Sequence, residues 1–275
     1  MKHNQDFFEG VYQKKIYYQN WLPDEKPKAV ILIIHGIVEH SNRYMNVVNY
    51  FVPKNFAVYG FDHMGHGKSE GERTYINQFE DFRDNIKRYF DMVREWHPDI
   101  PIILFGHSMG ALISANYLLD YQHEFSAAVL SAAPVILPNI VTQIMGNILA
   151  SIAPNFGLIR INPHDMSRDK AVVQAYIDDP MVYNGRIAVR LLAEIVKGMK
   201  RINEEASKIQ IPLCIVHGGA DKVADAAGSQ MLFDRVQSEK KNIFIYDNLL
   251  HEVLNEPEHQ AVLDDIANSL NSYLF

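Results

Sequence analysis

Short runs of apolar, β-branched residues alternate along this chain with longer segments that show helical periodicity. Six runs lack the polar and apolar alternation of a half-exposed strand, and they cover residues 30–34, 56–61, 102–105, 127–130, 213–216 and 243–246. Continuous apolarity is typical of strands that are buried on both faces of a parallel sheet. The pattern therefore predicts an α/β fold in which helices flank a mostly parallel central sheet.

Helical patterns occupy several of the intervals between these runs, at residues 43–51, 79–96, 109–121 and 257–273. A more polar opening segment, residues 11–21, predicts an antiparallel hairpin at the edge of the sheet. The alternation lapses between residues 134 and 207, where helical patterns continue but no run predicts a strand. We therefore expect residues 134–207 to form a helical cap or lid, inserted into a core made of residues 1–133 and 208–275.

Composition narrows the classes of function. The 275 residues are 48% hydrophobic, and their formal net charge is −7, with no basic cluster that could follow a phosphate backbone. We therefore expect no nucleic-acid partner. The single cysteine, Cys214, excludes an intrachain disulfide and a cysteine-based zinc cluster, which fits a reducing compartment. Because the polar N-terminus lacks the apolar segment of a signal peptide, we expect a cytoplasmic protein.

The sequence Gly106-His107-Ser108-Met109-Gly110 stands between a predicted strand and a predicted helix. A G-x-S-x-G pattern occurs by chance roughly 0.1 times in a chain of this length, so the motif alone is weak. Its setting, a buried strand followed at once by a helix, is that of the nucleophile elbow of α/β-hydrolases. Glycine on either side permits the strained turn that exposes the serine hydroxyl. We therefore predict that Ser108 is the nucleophile that forms an acyl-enzyme.

This chemistry also needs two N–H donors for the oxyanion of the tetrahedral intermediate. In α/β-hydrolases one donor follows the nucleophile, and the other comes from a loop that ends a neighbouring strand. Residues 35–40 directly follow the predicted strand at residues 30–34. We assign the two donors to the backbone N–H groups of Ile37 and Met109.

The acid and the histidine of an α/β-hydrolase follow the serine in that chain order, each after a late strand. Asp221 follows the run at residues 213–216, and His251 follows the run at residues 243–246 through a short loop. Because the carboxyl ends of parallel strands share one edge of a sheet, both side chains should lie near Ser108. We predict that Asp221 orients His251 and that His251 moves the Ser108 proton, with Asp225 as the reserve acid.

Other motifs in the chain do not predict a phosphate site, a metal site or a second nucleophile. Residues 67–69 resemble the end of a phosphate-binding loop, but Asp62 stands where that loop needs its first glycine. His63 and His66 adjoin this region without a third ligand of matching spacing, so we expect no metal and no cofactor. Dehalogenases and epoxide hydrolases of this fold use an aspartate as nucleophile, whereas this chain has serine. Cys214 stands in a predicted buried strand and is interpreted as core.

These stretches together resemble the monoacylglycerol lipase family. The resemblance is carried by residues 35–44, residues 62–73, the elbow, the Gly219-Ala220-Asp221 loop and the His251 loop, from about residue 30 to 257. It implies the α/β-hydrolase fold and a serine esterase or lipase that hydrolyses monoacylglycerol or a similar single-chain lipid ester. A short-chain carboxylesterase or a lysophospholipase is the alternative. A non-catalytic ligand-binding protein is a distant alternative, because such proteins commonly lack a triad residue and this chain has a candidate for all three.

The resemblance also implies a pocket for the glycerol group. Glu39, Arg43 and His107 occupy positions that surround the glycerol hydroxyls in such lipases, and Tyr176 matches a tyrosine of their cap. A structural ion pair under the oxyanion loop is the alternative for Glu39 and Arg43. The chain departs from the family at Leu254, where the lipase pattern has a second histidine three residues after the first.

The expected cap begins in an uncharged stretch, residues 125–159, which prolines and polar residues break into runs too short to span a bilayer. One apolar helical stripe runs through it, formed by Val141, Met145, Ile148 and Ile152 and widened by Ile140 and Ile144. Such a stripe often packs into a core. Because the opposite face also lacks charge, the wall of an acyl tunnel and peripheral contact with a membrane are the other interpretations.

Overall fold

A computed structural model describes residues 1–274 of the chain. Its strands are β1 (Lys2–Glu9), β2 (Lys15–Leu22), β3 (Ala29–Ile34), β4 (Phe56–Phe61), β5 (Ile102–His107), β6 (Ala127–Ser131), β7 (Gly157–Ile159), β8 (Ile187–Ala188), β9 (Leu213–Gly218) and β10 (Lys241–Tyr246). Its α-helices are α1 (Met45–Phe51), α2 (Glu80–Trp96), α3 (Met109–Tyr121), α4 (Ile140–Ile152), α5 (Lys170–Asp178), α6 (Val189–Glu205), α7 (Ala226–Arg235) and α8 (His259–Leu274). Short 3₁₀ helices lie at Val11–Gln13, Ser41–Tyr44, Val52–Lys54, Gln122–Glu124, Pro163–Asp165 and Ala206–Lys208.

Eight of these ten strands form one sheet, in the order β1-β2-β4-β3-β5-β6-β9-β10. β1 and β2 pair antiparallel, and β2 runs antiparallel to β4, whereas the remaining pairs are parallel. The predicted α/β fold is confirmed. The edge hairpin begins earlier than residues 11–21, because Lys2 pairs with Leu22 and Glu9 pairs with Lys15. The pattern misses β1 because only one of its side chains is buried, which leaves no apolar run.

The central strands bury side chains on both faces of the sheet. On one face, Leu32 and Ile34 of β3 join an apolar cluster that includes residues of α2, α3 and α6. On the other face, Ile31 and Ile33 join a second cluster with residues of α1 and α8. Alternate residues of one strand therefore enter two different cores, and both sets must be apolar. This is why the strand appears in the sequence as a continuous apolar run.

Residues 134–207 lie between β6 and β9 and contain α4, β7, α5, β8 and α6. We expected no strand in this interval, yet β7 and β8 pair as a short antiparallel ribbon. Ala150 of α4 packs against Val189 and Ala193 of α6. Across residues 1–274, no helix is both long enough and apolar enough to cross a membrane.

Candidate active site

The predicted nucleophile lies at a sharp turn between the end of β5 and the start of α3. Ser108 has φ 53° and ψ −123°, a conformation that an L-residue adopts only when its surroundings hold it. A β-carbon on Gly106 would lie 2.5 Å from the Gly110 carbonyl oxygen, and one on Gly110 would lie 2.0 Å from the Ile34 carbonyl oxygen. The turn therefore closes only with glycine at both positions.

His251 and Asp221 reach Ser108 from loops that follow β10 and β9. The Ser108 hydroxyl oxygen lies 2.8 Å from His251 Nε2, and His251 Nδ1 lies 2.7 Å from Asp221 Oδ2. These partners assign the tautomer in which Nδ1–H donates to the carboxylate and Nε2 accepts from the hydroxyl. The structure thus brings the three predicted residues into one buried, hydrogen-bonded chain.

The Asp221 carboxylate accepts hydrogen bonds at both of its oxygens. The Val223 and Ala224 N–H groups donate to Oδ1 at 2.7 and 3.0 Å, while the imidazoles of His251 and His217 contact Oδ2. Burial opposes ionisation here, but these hydrogen bonds hold the pKa of Asp221 well below its usual range. Asp221 is therefore an ionised carboxylate that is fixed in position before any substrate binds.

His217 was not among the predicted site residues, although it stands at the end of β9 just before the acid loop. Its Nε2–H points at Asp221 Oδ2 and at the Ala224 carbonyl oxygen, at 3.1 and 3.0 Å, and its Nδ1 accepts from the Ser229 hydroxyl at 2.6 Å. The reserve acid, Asp225, instead accepts the Ala227 N–H and so caps α7. The structure therefore favours Asp221 over Asp225.

The predicted oxyanion loop lies between β3 and the elbow. Val38 has φ 60°, which is strained for a β-branched residue, and its carbonyl oxygen accepts the Tyr183 N–H at 2.8 Å. This contact joins the loop to the segment after α5. Within residues 1–274, neither the Ile37 N–H nor the Met109 N–H donates to an acceptor of the chain. Both N–H groups are therefore available to a developing oxyanion.

Two carboxylates flank one guanidinium beside Ser108. Arg43 contacts Glu252 through both terminal nitrogens at 2.5 and 2.8 Å, and it lies 3.2 Å from Glu39 Oε2. Glu39 Oε1 accepts the Gly36 N–H at 2.6 Å and the Tyr44 hydroxyl at 2.7 Å. The ion pair between Glu39 and Arg43 is therefore present, and Glu39 also anchors the oxyanion loop.

Burial and the shared guanidinium affect the two carboxylates differently. Burial raises the pKa of Glu39, and Arg43 offsets only part of this effect. Burial would also raise the pKa of Glu252, but Arg43 lowers it to about 2. Arg43 thus has an ionised partner in Glu252, a site residue that no motif indicated although it directly follows His251.

His107 and Tyr176 complete the predicted wall around the nucleophile. The Tyr176 ring centroid lies 4.6 Å from Arg43 Cζ, a cation–π contact. The His107 ring lies 5.0 Å from the His251 ring, and its Nδ1 contacts the Ser131 hydroxyl at 3.1 Å. Burial, together with the nearby His251, lowers the pKa of His107 to about 3, so its imidazole is neutral at pH 7.

The cavity at the nucleophile is small. Its volume is about 20 Å³, and Ile161, Met166 and Val223 line it together with the polar residues described above. A space of this size admits about one water molecule. Leu254, where the family pattern has a histidine, lies outside this lining and packs into the core cluster of α1 and α8. The cavity as it stands is therefore too small to hold the acyl chain of a lipid ester.

The apolar stripe of α4 lies on the outside of the protein. Its six residues are between 53% and 77% exposed. The buried residues of α4 are Gln143 and Ala150 on another face, so the core interpretation of the stripe is wrong. A groove of about 440 Å³ with mainly apolar lining lies between α4, α6 and β7.

The other histidines and the cysteine that the sequence singled out are buried. The rings of His35, His63 and His66 pack together, with centroids 4.3 to 6.1 Å apart. Among residues 1–274, no group of three or more histidine, cysteine, aspartate or glutamate residues is arranged to hold a metal ion. Cys214 is buried in β9, and burial raises the pKa of its thiol to about 12.

A mostly parallel sheet with a serine elbow, a histidine and an aspartate after its strands defines an α/β-hydrolase of the serine-hydrolase class. Residues 25–258 match the family described as "Serine aminopeptidase, S33". A monoacylglycerol lipase of Mycolicibacterium smegmatis is 35% identical over 97% of this chain and 96% of its own length. A monoglyceride lipase of Mus musculus is 30% identical over 94% of this chain and 86% of its own length.

A solved structure agrees with these relatives. The monoacylglycerol lipase of Paleococcus ferrophilus matches with a TM-score of 0.80 and 26% identity, over 98% of this chain and 100% of that one. The chain therefore belongs to the monoacylglycerol lipase family. The predicted activity class, a carboxylic ester hydrolase, is confirmed by the same comparisons.

Proposed function

We propose that this chain hydrolyses monoacylglycerols to a fatty acid and glycerol through an acyl-enzyme on Ser108. The hydrogen-bonded chain from the Ser108 hydroxyl to His251 and Asp221, with distances of 2.8 and 2.7 Å, carries the proposal. His251 Nε2 takes the hydroxyl proton as Ser108 Oγ attacks the ester carbonyl carbon. Asp221 holds the imidazole in the required tautomer and stabilises the imidazolium that forms.

The tetrahedral intermediate places its negative charge on the former carbonyl oxygen, next to the N–H groups of Ile37 and Met109. His251 then gives its proton to the ester oxygen, the carbon–oxygen bond breaks and glycerol leaves. In the second half of the cycle, His251 takes a proton from water as the water oxygen attacks the acyl carbon. Return of that proton to Ser108 Oγ releases the fatty acid and restores the enzyme.

The polar wall of the cavity is the proposed glycerol pocket. Glu39, Arg43, His107 and Tyr176 line the cavity that contains Ser108. Carboxylate oxygens accept hydrogen bonds from hydroxyl groups, which a glycerol leaving group supplies. The guanidinium of Arg43, which lines this cavity, is already held by Glu252 and is therefore not free to pair with an anionic head group. This arrangement, with the monoacylglycerol lipases among the relatives, supports a neutral polyol ester as substrate.

We also propose that residues 134–207 act as the cap and that its outer face contacts lipid surfaces. A cavity of about 20 Å³ is too small for an acyl chain, which supports a movement of part of the cap when the substrate binds. The exposed stripe of α4 and the apolar groove beside it would meet a lipid surface first.

A comparison of three substrates tests the assignment. We expect kcat/KM for 1-oleoylglycerol to exceed that for 1-butyrylglycerol and for oleoyl-lysophosphatidylcholine, each by about 10-fold or more. The first comparison varies the acyl chain alone, and the second varies the head group alone. A preference for 1-butyrylglycerol would indicate a short-chain carboxylesterase instead, and a preference for the phospholipid would indicate a lysophospholipase.

A further inference from the structure

The backbone around His251 is held by the segment before α5 and by Glu256, which lies later in the same loop. Three successive N–H groups in this loop donate hydrogen bonds. The Leu250 N–H donates to Glu256 Oε1 at 2.7 Å. The His251 and Glu252 N–H groups donate to the carbonyl oxygens of Asp165 and Met166, at 3.5 and 2.8 Å. Two of these acceptors belong to the segment before α5. The position of the imidazole therefore depends on how firmly this segment and Glu256 are held.

Glu256 is fully buried, and its carboxylate joins the two segments. While Oε1 accepts the Leu250 N–H, Oε2 accepts the Ser167 hydroxyl, the Arg168 N–H and Arg168 Nε–H at 3.3, 3.1 and 3.3 Å. A carboxylate buried this completely is costly to retain unless such donors compensate it. The Glu256 side chain therefore accepts hydrogen bonds both from the loop that carries His251 and from residues 167 and 168 of the cap.

We propose that Glu256 is a positioning residue for the general acid and base, acting by fixing the His251 loop to the cap segment 165–168. The inference rests on the proposed function, because it presumes that His251 transfers the protons. Loss of the Glu256 contacts releases the Leu250 N–H and loosens the segment that holds the next two N–H groups. A displacement of about 1 Å at a catalytic group can lower the rate by about 100-fold.

The choice of leaving group separates this role from a general loss of structure. A glycerol oxygen needs a proton from His251 as it departs, whereas p-nitrophenolate leaves without one. 1-Butyrylglycerol and p-nitrophenyl butyrate form the same acyl-enzyme, so they share deacylation and differ in the leaving group, its protonation and its contacts with the polar wall. A displaced His251 should therefore impair kcat/KM more for the glycerol ester than for the nitrophenyl ester.

The variants are Glu256→Gln and a matched control, Glu258→Gln. Glu258 also pairs with Arg168, but it is 52% exposed on its side chain and makes no contact with Leu250. Glutamine at position 256 presents its NH₂ group to one set of donors, so it loses either the Leu250 or the Arg168 contacts. We expect Glu256→Gln to lower kcat/KM by about 100-fold for 1-butyrylglycerol and about 10-fold for p-nitrophenyl butyrate. Glu258→Gln should leave both within about 3-fold of wild type.

Ser167→Ala provides a milder variant, because it leaves the carboxylate in place and removes a hydroxyl that contacts Glu256 Oε2, the Asn255 carbonyl oxygen and the Asp169 N–H. We expect it to raise the nitrophenyl-to-glycerol ratio of kcat/KM by about 3-fold, whether or not Glu256→Gln folds. A wild-type ratio in Ser167→Ala, or in a folded Glu256→Gln, would overturn the inference. Failure of the proposed function would look different, because the wild-type chain itself would then lack activity on these esters or Ser108→Ala would keep it.

Discussion

At the scale of single residues, two aspartates four positions apart occupy different environments. Asp221 contacts the His251 imidazole at 2.7 Å, whereas Asp225 caps α7. We expect Asp221→Ala to lower kcat by about 10⁴-fold. Without this carboxylate, nothing holds the His251 imidazole in the tautomer with a proton on Nδ1, and nothing stabilises the imidazolium that forms. Steady-state hydrolysis of 1-butyrylglycerol measures this loss.

Asp225→Ala serves as the control. It should keep kcat within about 3-fold of wild type but lower the free energy of unfolding by about 1 kcal/mol, since a helix cap is lost. Urea unfolding gives that value. A larger loss of kcat in Asp225→Ala than in Asp221→Ala would contradict the assignment of the acid.

The residues that could be predicted are those whose signal is local. Ser108 lies in a five-residue motif, and Asp221 and His251 follow strands in the order that the fold requires. The roles of Glu252 and Glu256 depend on contacts between loops that are distant in sequence, whereas His217 contacts residues within twelve positions but belongs to no motif. Arg43 and Glu252, for example, are 209 positions apart. No motif spacing reports such a contact, so these residues emerge only from the structure.

At the scale of elements, α4 presents its apolar residues to solvent. Burying an isoleucine side chain in an apolar phase is favourable by about 1.5–3 kcal/mol. We therefore expect the double variant Ile148→Gln/Ile152→Gln to bind anionic or neutral lipid vesicles about 10- to 100-fold more weakly than wild type. Co-sedimentation with vesicles measures the partition coefficient.

Ile245→Gln is the matched control, because Ile245 is an exposed isoleucine on β10 rather than on the cap. It should leave vesicle binding within about 2-fold of wild type. Equal binding by the α4 variant, the control and the wild type would refute membrane contact through α4.

The hydrophobic pattern predicts the helices and strands of the core accurately, and it predicts the exposed or very short elements less well. The predicted helix at residues 109–121 coincides with α3, and the strand predicted at residues 56–61 coincides with β4. All six residues of β4 are buried, and so are the first ten residues of α3, so each appears in the sequence as a mainly apolar segment. β1 is almost entirely exposed, and β7 and β8 are only three and two residues long. Hydrophobic periodicity therefore could not reveal them.

At the scale of the whole molecule, four buried histidines make the fold sensitive to acid. Burial lowers the pKa of His35, His63, His66 and His107, to about 3, 4 and 3 for the last three. In the unfolded chain these groups protonate near pH 6.5. Below that pH the unfolded state binds more protons than the folded state, so stability falls as the pH decreases.

We expect the free energy of unfolding to drop by about 1 kcal/mol per histidine, or about 4 kcal/mol in all, between pH 7 and pH 5.5. Urea titrations at the two pH values measure the change, and a titration at pH 8 should match that at pH 7 within about 1 kcal/mol. The same stability at pH 5.5 and pH 7 would show that these imidazoles are not buried in neutral form.

The most direct measurement compares wild type with Ser108→Ala in the release of oleate from 1-oleoylglycerol. Removal of the hydroxyl should leave the sheet, the loop after β3 and the proposed glycerol pocket in place, while it removes the atom that we propose forms the acyl bond. We expect release by the variant to fall by about 10⁴- to 10⁶-fold. A variant that keeps more than about a hundredth of the wild-type rate would contradict the assignment of Ser108 as the nucleophile.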